Sequence, residues 1–152
     1  MIRSAYSSAL EVSQYMVSKA YEEGYPISNL QLQKLLYFVQ GKALVKLGCP
    51  AFSESFEAWN YGPVVPEVYD QYRVYGASPI CRKYDTQLAA STVLEPLRRI
   101  VDDVLEDYGR ETAWHLVQYT HKANSPWSEA IRDGKKVISK EDMKKYFSSN
   151  KT

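Results

Sequence analysis

The 152-residue chain predicts a mostly α-helical fold, a single compact domain of about six to seven helices with room for a short β-ribbon near residues 51–60 and 78–82. Three observations carry that reading. Apolar residues recur at helical spacing in several separate stretches; polar capping residues open those stretches and glycines close them; and between Cys49 and Glu57 the helical period lapses.

The first helix opens on Ser8, which with Glu11 makes a capping box, and carries Ala9, Val12, Met16 and Ala20 until Gly24 stops it. A second capping box, Ser28 with Gln31, opens a helix whose stripe of Leu32, Leu35, Leu36, Val39 and Ala43 is widened by Leu30, Phe38, Leu44 and Leu47 before Gly48. A helix apolar around so much of its circumference belongs at the centre of the domain. Phe52, Phe56 and Ala58 then mark an extended passage. Pro66 suits the first turn of a third helix through Val68, Tyr69, Tyr72 and Tyr75, with Glu67 near its positive end. Residues 77–91 read as a connection with one short strand around Ile80. The period resumes from Val93 to Tyr108, with Pro96 near the start and Gly109 beyond the end. Thr112 caps a helix bearing Trp114, Leu116 and Val117; Ser125-Pro126 opens one through Trp127, Ala130 and Ile131; Ser139 caps a last one with Met143, Tyr146 and Phe147 on its apolar side. The polar end from Ser148 to Thr152 should fray.

Composition excludes several function classes. A net charge of +1 is not that of a general polyanion binder. Cys49 and Cys81 lie far apart and show neither zinc-ligand nor disulfide-framework spacing. No charged-then-apolar leader follows Met1 and no apolar run reaches spanning length, so the expected location is the cytoplasm. There is no P-loop, no dinucleotide glycine pattern, no HExxH and no nucleophile elbow. His115 and His121, six apart, would point to roughly opposite faces of one helix, so no metal site, catalytic residue or cofactor is expected. A Cys-His-Asn set built from Cys49 or Cys81 with His121 and Asn124 has only chain proximity behind it.

Two segments resist the description of ordinary loops. Ala58 to Tyr69 is aromatic and doubly marked by Pro63 and Pro66, which fix two φ angles and make a rigid corner ending in a helix start. Thr120 to Trp127 reads in two ways. In the structural one His121 donates to a carbonyl at the preceding helix end, Ser125 caps the next helix and Trp127 packs inward; in the other, His121 and Trp127 form a binding surface beside the first corner.

Leu32-Gln33-Lys34-Leu35-Leu36-Tyr37-Phe38, the run from Phe56 to Tyr69, and Thr120-His121 with Ser125-Pro126-Trp127 together resemble the Panacea domain, the family of SocA-like and phage-associated GepA-like antitoxins. The resemblance covers about residues 9–147 of a single domain spanning 1–152. It implies a mostly helical antitoxin that is not an enzyme and neutralises a cognate protein toxin by direct binding, through occlusion or through delivery to a protease, with a protease or chaperone as a further partner. The expected partner-binding residues are Trp59, Tyr61, Pro63, Tyr69, His121 and Trp127. The alternatives are a small hydrolase or transferase using His121 and a DNA-binding autorepressor.

Charge adds two expectations. Asp102, Asp103, Glu106 and Asp107 crowd the C-terminal half of a helix, where the dipole disfavours anions, and form like-charge i,i+4 pairs. They make either a solvated face partly offset by Arg98 and Arg99, or an acidic strip, represented by Asp103 and Asp107, that docks a basic surface of the toxin. Lys135, Lys136, Lys140, Lys144 and Lys145 make the tail region basic, but Glu141 and Asp142 interrupt it and no base-reading helix stands out.

Overall fold

The computed structural model describes residues 5–149 and has eight α-helices and one small sheet among them. Residues 1–4, where no leader is expected, and residues 150–152 of the end expected to fray lie outside the described residues. Both capping boxes form. Ser8 and Glu11 open α1 (Ala9–Glu22), and Ser28 and Gln31 open α2 (Asn29–Lys46), each pair satisfying two otherwise orphan backbone N–H groups.

Helix α2 is the axis of the molecule. It is buried around nearly its whole circumference and packs against α1, against α3 (Pro66–Tyr72), α5 (Glu95–Tyr108), α6 (Ala113–Thr120) and α8 (Lys140–Ser149), and against β2 (Gly62–Val64). Close approach of α8 depends on Gly41: a Cβ there would stand 2.3 Å from the Phe147 ring. Beyond α8's capping by Ser139, whose hydroxyl accepts from Asp142 N–H at 3.1 Å, the helix continues through Ser148 and Ser149.

The extended passage is β1 (Phe56–Trp59), paired antiparallel with β2 through a two-residue turn at Asn60 and Tyr61, in register Glu57 to Val64 and Trp59 to Gly62. The third strand is not where the sequence suggested. Near residues 78–82 there is a single bridge, Ser28 to Pro79, with Ile80 N–H donating to Ile27 at 2.8 Å; Pro79 has no N–H to extend a ladder, and Cys81, Arg82 and Lys83 are exposed. The sheet is instead completed by β3 (Val137–Ile138), which pairs with β1 and gives the order β2-β1-β3.

The count of six to seven helices is also corrected to eight. Helix α4 (Thr86–Ser91) falls in the stretch read as a connection, capped by Asp85, whose side chain accepts from Leu88 N–H. Only Ala89 of this helix is buried, so no apolar period announced it. The remaining helix, α7 (Pro126–Arg132), opens at Ser125 as expected, its hydroxyl accepting from Ser128 N–H at 3.2 Å.

Candidate partner-binding site

The floor of the aromatic corner is a row of buried polar side chains on α2. Gln33 accepts from Val65 N–H at 2.9 Å and donates to Asn29 Oδ1 at 3.0 Å, and Asn29 donates to the Tyr69 carbonyl at 3.1 Å. One turn pair further along, Gln40 accepts from Ala51 N–H at 2.7 Å and donates to the Phe52 carbonyl at 2.9 Å. An irregular segment carries backbone groups with no ladder partner, and these amides supply them. The corner is therefore held from below at its Val65–Tyr69 end, and the passage leading into it at Ala51 and Phe52.

From the far side it is held by Trp127, whose indole N–H donates to the Trp59 carbonyl at 2.6 Å, while the Trp59 indole donates to Glu57 at 2.9 Å. Trp59 meets Tyr61 and Tyr69 edge to face at 6.0 and 5.1 Å between centroids. The His121 ring lies flat on Trp127, 3.8 Å away and 9° from parallel. His121 does close the preceding helix end, its backbone N–H donating to the Val117 carbonyl at 3.0 Å; the Thr120 carbonyl accepts from Ser125 Oγ at 3.2 Å, and the imidazole faces the corner.

Between these layers sits a residue whose sequence context gave no sign of its role. Lys34 is completely buried, and its Nζ has no hydrogen-bond partner among the described residues; the same is true of His121 Nε2. Both nitrogens converge on Gly62, where a Cβ would lie 2.6 Å from Lys34 Nζ and 3.3 Å from His121 Nε2. Gly62 has φ of 122° as well, so only glycine suits the position on both counts. The Tyr61 ring covers the amine, 5.7 Å from its centroid. Burial pushes the Lys34 ammonium down to about 7. Burial also pushes His121 below its usual value, an effect the Tyr61 backbone opposes and Lys34 reinforces. Burial and the neighbouring Tyr69 hydroxyl push Tyr61 up to about 12.

Of the expected partner-binding residues, the structure thus brings together Trp59, Tyr61, Tyr69, His121 and Trp127. Tyr61 is exposed, Trp59, Tyr69, His121 and Trp127 are half-buried, and Pro63 is buried inside β2. Trp114, which the sequence places among the apolar residues of its helix, is 67% exposed on α6, seven residues and about 10 Å before His121. Its position off the stripe that buries Leu116 and Thr120 is the sequence signal for that exposure.

The acidic strip is smaller than its sequence. Asp102 receives the Tyr15 hydroxyl at 2.5 Å and Lys19 at 2.7 Å, and Asp107 lies 3.7 Å from Lys42. Arg98 and Arg99 do not offset it: Arg98 donates to the Ala90 and Val93 carbonyls and Arg99 pairs with Glu95. Asp103 and Glu106 remain exposed on α5, apart from the aromatic cluster. In the basic region Lys136 pairs with Glu57 and Lys140 donates to the Ser53 carbonyl, both tying the sheet edge down. His115 is exposed and pairs with Glu111, Cys49 is buried and Cys81 exposed, and both thiols are free. Among the described residues no group of His, Cys, Asp and Glu side chains is placed to hold a metal ion, and no helix is long and apolar enough to cross a membrane.

A concavity of about 180 Å³ lies between α2, α5, α6 and α8, lined by Phe38, Tyr108, Tyr119, Lys122 and Phe147. Phe38 stacks on Tyr108 at 4.6 Å, and Phe147 closes the wall edge-on at 6.5 Å.

Comparison with known proteins joins these features. No solved structure matches the chain. Antitoxin SocA of Caulobacter vibrioides is 37% identical over 134 residues, which cover 83% of this chain and 71% of that protein. The family model described as "Antitoxin SocA-like, Panacea domain" matches residues 32–128, a span that begins on α2 one residue before Gln33, takes in the whole β1–β2 corner and ends just past Trp127. The chain belongs to the SocA-like Panacea antitoxin family.

Proposed function

We propose that this chain is the antitoxin of a toxin–antitoxin pair, acts in the cytoplasm, and neutralises its cognate toxin by direct, stoichiometric contact. Membership of the SocA-like family is the observation that carries this reading. The contact surface is the face made by the β1–β2 turn and the α6–α7 corner. Trp59 and Trp127 lie on it with the exposed Tyr61, and the exposed Trp114 stands two helical turns before His121 on α6. Tryptophan and tyrosine dominate binding energy where proteins meet, because each gives a large rigid apolar area with a polar tip at little entropic cost. The face is also rigid: α2 amides hold it from beneath and the Trp127 indole from the side. A surface ordered before binding loses little freedom on association. Asp103 and Glu106, exposed on α5, serve as a separate electrostatic guide for a basic toxin surface.

The test is a titration of the purified chain into the purified product of the neighbouring reading frame, scored by that product's own toxic activity. Complete inhibition at a fixed ratio without any added factor is expected. Inhibition that appears only when an active protease is supplied would replace occlusion by delivery to that protease.

A further inference from the structure

The pair of nitrogens above Gly62 is hard to account for as packing. Lys34 carries three N–H donors when charged and uses none, although it is completely buried, and no acidic side chain of the described residues pairs with it. A buried amine without a partner costs stability, and an apolar residue of the same length would remove that cost. His121 Nε2 adds a second unsatisfied polar atom within about 6 Å of the first, since both approach the same point over Gly62. Burial holds both nitrogens below their ordinary proton affinity in the free chain, and an anion lying between them would favour their protonated, donating forms.

Only one side of this arrangement is open to change. Beneath it is α2, and on one flank the His121 ring is clamped against Trp127. Gly62 gives it a wall of backbone. The remaining side is covered by the ring of Tyr61, 40% exposed and located in the two-residue turn, where a side-chain rotation disturbs no ladder. An anion must therefore come from the surface proposed above as the toxin contact, and it must be small. Two donors suit the two oxygens of a carboxylate, whereas a phosphate dianion with three oxygens to satisfy would leave one unpaired in a dry site.

We propose that Lys34 Nζ and His121 Nε2 form a receptor for one carboxylate, an Asp or Glu side chain of the partner toxin, which enters as the Tyr61 ring turns aside. The inference rests on the reading of this chain as a toxin-binding protein and goes beyond it by naming the chemistry at the centre of the contact. Binding at this point converts two unsatisfied donors into charge-assisted hydrogen bonds, so the complex gains what the free chain lacks. It also makes specificity: a toxin with an apolar residue at that position would leave the amine buried and unpaired.

The test uses the full chain and the product of the neighbouring reading frame. At pH 7 the Lys34→Met protein should melt at a higher temperature than the wild type and yet bind that product at least about tenfold more weakly. Sodium acetate should weaken the wild-type complex more than sodium chloride of equal ionic strength, and the two salts should act alike on the Lys34→Met complex. A Lys34→Met protein that binds as tightly as the wild type overturns the receptor while leaving toxin binding in place, as does a wild-type complex that cannot tell acetate from chloride. A variant that melts earlier than the wild type gives the amine a structural role and overturns it too. Failure of the wild-type chain to bind the product at all removes the toxin-binding reading itself.

Discussion

Lys34 is the residue on which the physical chemistry of this chain turns. In the unfolded chain its amine keeps a proton up to its ordinary value of 10.5; in the fold burial releases that proton near 7. Between those values the unfolded state holds more protons than the folded one, so stability rises with pH from about 7 toward 10.5, and below 7 the penalty is complete and constant. His121, which with the Tyr61 ring faces the amine, is also held below its usual 6.5 and adds a dependence of the same sign at lower pH. Tyr15, Tyr37 and Tyr72 act oppositely: burial raises each, so they ionise first in the unfolded chain and stability falls above about 10. Urea midpoints should therefore climb between pH 7 and 9, and Lys34→Met should flatten that climb; a wild-type midpoint constant over the range would refute the assignment. Gly62→Ala should cost on the order of 1–3 kcal/mol in the same assay, because it combines φ of 122° with a Cβ 2.6 Å from Nζ. None of this was legible in the sequence. A lysine inside an apolar helix ordinarily marks the solvent side, and its burial arises only when residues 51–69 fold across α2.

At the scale of elements, helices that announce themselves by local chemistry were readable and elements made by tertiary contact were not. Ser8 with Glu11, Ser28 with Gln31, Thr112 and Ser125 each form the cap their spacing predicts. Helix α4 and strand β3 escaped because the first buries one residue and the second is two residues long, defined by its pairing with β1. The polar row of α2 escaped for the same reason as Lys34. Its importance can be measured directly. Gln33→Leu leaves Val65 N–H without an acceptor, and Gln40→Leu does so for Ala51 N–H and removes the donor to Phe52; each should cost about 1–3 kcal/mol by urea denaturation. Ser125→Ala loses both the α7 cap and the bond to Thr120 and should cost about 1 kcal/mol. A loss near zero in the glutamine variants would mean that the corner does not depend on α2 for its shape.

Across the whole molecule, the residues that hold the fold together are largely distinct from those exposed on its surface. In the aromatic corner Trp59 and Tyr69, with Trp127 beside them, are half-buried ties, whereas Tyr61, and Trp114 on α6, are exposed. The class of protein was legible from three spaced motifs, and the expected contact residues fall on one face except Asp103 and Asp107, which lie on α5, and Pro63, which is buried. Replacing Asp103 and Glu106 by Lys should slow association with the toxin and weaken its salt dependence, with little change in dissociation; equal association rates at low and high salt for both proteins would remove the guiding role. The central claim, that a toxin is bound through the tryptophan-bearing face, is tested most directly by the toxin affinity of Trp114→Ala beside that of Leu88→Ala, an exposed apolar residue on α4 away from that face. Both variants should keep the wild-type melting temperature, since neither side chain is buried. The prediction is that Trp114→Ala binds at least about tenfold more weakly while Leu88→Ala binds like the wild type; equal, undiminished affinity in both would contradict it.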